Sequence, residues 1–165
     1  MNPLLLVLLA AQAATAPPSG TVPPAPNCAA LDQGLPADVA GWNNSGERLV
    51  PGHAVMLRAT TADNPPGARP GLGATIAFSV PMDGIYGVAL DQAGSIDVLP
   101  VMDRGPGTTL TPVGREQALP CSSIHTIMLY RLNAATYYSL SLGGLASPTA
   151  RVMLVAPPSP RPPAQ

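Results

Sequence analysis

Two histidines, His53 and His125, together with nine carboxylates are the material from which this chain could build a facial metal triad of two imidazoles and one carboxylate. The count allows one such site and no spare. Each histidine stands at the start of an expected strand, so the two meet only if those strand ends are neighbours. A joined pair would make the protein a small metal-dependent oxidoreductase. The plainer reading is a histidine at a strand end, satisfied by water or backbone.

Other residues carry weaker signals. Asp83, Asp91, Asp97 and Asp103 fall near successive turns, where oxygen-rich clusters can hold calcium. If Ile96 and Val98 face the core, Asp97 faces water, and solvated carboxylates are the expected outcome. Trp42, the single tryptophan, sits in Gly41-Trp42-Asn43-Asn44-Ser45-Gly46. An exposed indole there could stack on a sugar ring as a ligand platform; a hydrophobic plug at the end of the fold is the alternative. Ser122-Ser123 has no Gly-x-Ser-x-Gly context and no acid–base partner in sequence, so no catalytic residue is nominated. Met56, Met82, Met102, Met128 and Met153 lack clustered spacing and read as core filling.

The two cysteines, Cys28 and Cys121, are best read together with the amino terminus. Leu4 through Ala11 form a short, uncharged, Leu-rich run ending in Ala11-Gln12-Ala13, a small-x-small cleavage signature. Such a run is too short to span a bilayer, which takes about 20 residues, so residues 1–13 are expected to be a cleaved signal peptide. Export places the protein in the periplasm or outside the cell, where an even cysteine count favours a Cys28–Cys121 disulfide. No membrane span is expected once the leader is removed.

Composition narrows the function further. Charged residues are 10% of the chain and the formal net charge is −1, so there is no basic field for nucleic acid. All eight cations are Arg, which removes Lys nucleophiles and Schiff bases. Residues 14–27 and 157–165 are Pro-rich and are expected to be disordered arms around one domain, residues 28–156.

Within that domain, period-two alternation recurs and helical period does not. Ile76, Phe78 and Val80 precede Pro81-Met82-Asp83-Gly84, and Tyr86, Val88 and Leu90 follow it, which reads as a hairpin. Asp91-Gln92-Ala93-Gly94 then turns the chain into a third, meandering strand at Ile96 and Val98. Further strands are expected at 125–132, 137–142, 149–155 and 55–60, with a short one near 48–50. Seven or eight such strands predict an all-β, antiparallel two-sheet sandwich, jelly-roll-like, with a barrel as second choice.

The grammar Phe78-x-Val80-Pro81-x-x-Gly84-x-Tyr86-x-Val88-x-Leu90, followed by Tyr138-x-Leu140-x-Leu142-x-Gly144, resembles the bacterial pre-peptidase C-terminal domain. That resemblance implies a secreted jelly-roll sandwich. The order Cys28, Gly41-Trp42, Gly52-His53-Ala54-Val55, Ile96-Asp97-Val98, Cys121-Ser122-Ser123-Ile124 and Arg151 to Val155 is similar to small exported α-proteobacterial proteins without an established activity. Some of those carry the label homogentisate 1,2-dioxygenase. The iron enzymes of that name are much longer, and this chain has neither His-x-His nor His-x5-Glu. The expectation is therefore an exported, non-enzymatic binding or accessory module that needs no cofactor and takes a protein or glycan partner. The metal-dependent oxidoreductase stands as the alternative.

Overall fold

The computed structural model describes residues 30–102, 105–116 and 119–157. The expected leader, all of the first arm, Cys28, Asp103 and the tail after Pro157 lie outside the described residues. The described chain forms β1 (Ala54–Arg58), β2 (Leu72–Ser79), β3 (Gly84–Leu90), β4 (Ser95–Met102), β5 (Gly105–Pro106), β6 (Gly114–Glu116), β7 (Thr126–Leu132), β8 (Tyr137–Leu145) and β9 (Thr149–Val155), with one short 3-10 turn at Ala40–Asn43.

These strands make two antiparallel sheets. The first has the order β1-β9-β3-β7-β6 and the second β2-β8-β4-β5. With β6 set aside as an added edge strand, β1-β9-β3-β7 facing β2-β8-β4-β5 is the strand order of a jelly roll. The expected class is what the chain adopts. Residues 48–50 form no strand, and the two short additions, β5 and β6, are ones that alternation over so few residues does not reveal.

The expected hairpin and meander are corrected. β2 pairs with β8, whereas β3 pairs with β7 and β9, so the Pro81–Asp83 turn carries the chain from one sheet to the other. The next turn, 91–94, carries it back, because β4 lies beside β8. Alternation marks the face a strand buries and says nothing of the neighbour it pairs with.

The predicted inward faces are the observed ones. Phe78, Tyr86, Val88, Leu90, Val98, Leu140 and Leu142 meet between the sheets, all but Phe78 at most 1% exposed. Phe78 stacks on Tyr138 with ring centroids 5.4 Å apart. Core tyrosines satisfy their hydroxyls on backbone: Tyr130 donates to Ile96 O at 2.6 Å and Tyr86 to Met82 O at 3.0 Å.

Burial, and secondarily the charge of Asp97, pushes the Tyr130 phenol up to about 12. A folded value raised above the ordinary 10.0 gives stability that is complete below that pH and lost as pH rises through the folded value. Tyr130→Phe is expected to cost about 1–2 kcal/mol at neutral pH. It should also remove this alkaline loss, read as a flatter dependence of the denaturation midpoint on pH above 10.

A second apolar cluster lies on the outer face of the first sheet. Ala54, Ala89, Ile127, Met153 and Val155 point outward there, and Val39, Trp42 and Ile124 cover them, flanked by Leu35, Leu119 and Leu129. This explains why five consecutive residues of β3, Tyr86 to Leu90, are buried. The segment before β1 is thus a cap packed on the sheet.

Candidate functional site

The cap buries Trp42 to 1% exposure, which corrects the reading of that residue as an exposed ligand platform and agrees with that of a hydrophobic plug. Its ring fills the outer-face cluster, with the Arg151 guanidinium 5.7 Å from the ring centroid. The indole Nε1 donates to Ser123 Oγ at 2.8 Å, and Ser123 Oγ in turn donates to Asp32 Oδ2 at 2.6 Å. The other carboxylate oxygen of Asp32 accepts from Ser122 Oγ at 2.9 Å and Ser123 N at 2.7 Å. Ser122 and Ser123 therefore spend their hydroxyls fastening the cap to the loop before β7, next to Cys121.

Asp32 was not nominated from sequence, and its backbone explains part of its position. At φ 62° it occupies the left-handed region, which Asp tolerates better than most residues, and its N–H reaches Cys121 O at 2.9 Å. Partial burial opposes ionisation of its carboxyl. The hydrogen bonds from Ser123 and Ser122, with the field of Arg151, outweigh that and hold it below the ordinary 3.8. A depressed folded value gives stability that is present above 3.8 and lost as pH falls through the folded value. Asp32→Asn is expected to flatten the fall of the thermal midpoint in that acid range, and an unchanged acid limb would contradict this role.

The nominated metal pair is not brought together. His53 is exposed just before β1, and His125 is exposed just before β7, its N–H bonded to Leu90 O at 2.7 Å. β9 and β3 lie between their strands, so three strand spacings of about 4.8 Å separate them across the sheet. Among the described residues no three His, Cys, Asp or Glu are grouped so as to hold a metal ion. Asp83 instead accepts from Ala134 N at 2.8 Å, and Asp97 is half-buried beside the inward Ile96 and Val98.

The site with the most convergent chemistry is a cleft of about 440 Å³ at one end of the sandwich, lined by Arg69, Ser95, Arg115, His125 and Thr126 over a floor of glycines. Both sheets contribute. Arg115 of β6 pairs with Met128 of β7, and its Nε donates to Thr126 Oγ1 at 3.0 Å, which fixes the plane of the guanidinium. Arg69 comes from the loop before β2. Asn64 braces that loop by donating to Arg69 O at 3.1 Å and accepting from Gly144 N at 2.9 Å.

Glycine is required where this loop lies against β8. A Cβ on Gly143 would sit 2.8 Å from Pro65 Cδ and 2.9 Å from Ser95 Oγ. At the loop's base, Gly73 exchanges both backbone hydrogen bonds with Thr60, at 2.7 and 2.8 Å. A Cβ on Gly73 would fall 2.2 Å from Asp63 O and 2.3 Å from Asp63 C, so no side chain fits.

His125 is the one nominated site residue that lines the cleft. Arg69 and Arg115 were missed because each is an ordinary surface arginine in sequence, and only the jelly-roll topology brings them together. No family model, curated protein or solved structure matches the chain. The class defined here is an all-β jelly-roll sandwich with a capped sheet and a cationic cleft at one end.

Proposed function

We propose that this protein works outside the cytoplasm as a binding or accessory module, without catalysing a reaction, and that it recognises a protein or glycan partner through the end cleft. The observation that carries the reading is the cleft itself. It combines a recessed volume in the range of small-ligand sites with convergent polar groups on rigid strands. Support for the non-catalytic part comes from the serines. Among the described residues neither histidine side chain hydrogen-bonds a serine, and the Ser122 and Ser123 hydroxyls are both committed to Asp32.

Export rests on the expected leader, residues 1–13, and a Cys28–Cys121 bridge accompanies it; Cys121 lies beside the cap it would secure, and no described cysteine is free. In the chain-entropy model such a bridge contributes about 4–5 kcal/mol.

The test is expression of the full chain in an exporting bacterial host, followed by amino-terminal sequencing, a thiol count and glycan and peptide arrays. The expected result is a mature protein beginning at Ala14, with no free thiol, that binds one ligand class saturably and leaves it unchanged. Conversion of the bound ligand, or retention of the uncut chain in the cytoplasm, would overturn the proposal.

A further inference from the structure

We infer that the end cleft is an oxyanion site, built to take a carboxylate, phosphate or sulfate group carried by that partner. This rests on the reading of the cleft as the binding surface and goes further by fixing the charge of what enters it.

The cations come from independent elements on opposite sheets. The Arg69 loop leads into β2 of the second sheet, and Arg115 lies on β6 of the first. With only eight cationic side chains in the protein, two converging on one recess, beside an imidazole, is a concentration of positive charge that the near-neutral composition does not otherwise supply. No carboxylate lines the cleft among the described residues. Glu116 is the acid nearest in sequence to the rim, and it lines a separate groove beside Ile127 and Leu129. Asp91 follows the end of β3 and does not line the cleft either.

The donor geometry matches an oxyanion better than a neutral sugar. Arg115 is held through Nε, which leaves the two terminal nitrogens as a pre-oriented fork of the kind that meets two oxygens at once. Ser95 and Thr126 add hydroxyls beside it. Among the described residues no Phe, Tyr or Trp ring lines the cleft, so the broad stacking surface on which neutral sugars are usually held is missing.

The experiment uses the mature protein in low salt, titrated by calorimetry and by two-dimensional NMR with His125 as reporter. Glucuronate, inorganic phosphate and sulfate are the probes, with glucose as the neutral control. Saturable binding of at least one anion, and none of glucose, is expected. Arg69→Met and Arg115→Met should each weaken binding about tenfold while Arg131→Met, far from the cleft, leaves it unchanged. Raising salt from about 20 to about 200 mM should weaken it several-fold. The relative affinities of glucuronate and phosphate distinguish an acidic sugar from a phosphorylated ligand.

Arg115→Met also loses the Thr126 bond, so Arg69→Met, which removes no side-chain hydrogen bond seen here, is the independent arm. Absence of binding by all three anions at about 20 mM, or binding that neither arginine variant weakens, overturns the inference. A neutral array ligand held elsewhere would sink this inference and leave the binding-module reading standing. Turnover of a cleft-bound anion would do the reverse.

Discussion

Replacing Trp42 with alanine is expected to cost about 4 kcal/mol, within the range for removing a fully buried large aromatic side chain. The size of the effect follows from what the ring does. It is 1% exposed, fills the cluster on the outer face of the first sheet, and passes a hydrogen bond through Ser123 to Asp32. Its loss leaves a cavity between the cap and Met153, Ala89 and Ile127 and strips the Ser123 hydroxyl of its donor. Trp42→Phe keeps most of the volume and loses the hydrogen bond, so it should cost roughly half as much. Urea denaturation followed by circular dichroism measures both; a loss below about 1 kcal/mol for the alanine variant would show that the cap is not part of the cooperative fold.

Gly73→Ala is expected to be the second severe change, at about 3 kcal/mol or more, because the added carbon meets backbone instead of a movable side chain. Asp63 and Asn64 lie within 2.4 Å of its position, and the Gly73–Thr60 bridge holds the strand in place from the other side. The only relief is movement of the 63–71 segment, which carries Arg69. A folded Gly73→Ala protein should therefore lose cleft binding together with stability, whereas Trp42→Phe should lose stability alone. Parallel denaturation and anion titration of the two variants separate these outcomes.

The strands and their inward faces were legible in the sequence because each strand buries alternate residues and is punctuated by turn residues. Ile76, Phe78, Tyr86, Val88 and Leu90 are the clearest cases. Pairing was not legible. A turn such as Pro81–Asp83 serves equally to fold a strand onto its neighbour or to pass it across to the facing sheet, and local residues do not distinguish the two. The cap was partly legible in retrospect. The continuous runs Val88-Ala89-Leu90 and Met153-Leu154-Val155 are apolar on both faces, which requires a second covering layer.

The cleft was the least legible feature. Its two arginines belong to separate elements with no shared motif, and His125 was marked for metal chemistry that its distance from His53 does not support. Convergence of this kind is a property of topology. Residue spacing along the chain does not encode it until strand order is known.

The direction of β3 and β9 sets how the molecule faces its surroundings. β3 runs from Gly84 to Leu90, whose end abuts the cleft turn, and Val155 of β9 pairs with Gly87 on the way out to Pro157 beside Gly84. The chain therefore departs roughly 20 Å behind the opening, at the opposite pole of the sandwich. Fastened to a surface through its carboxyl end, the domain would hold the cleft on the side away from that surface.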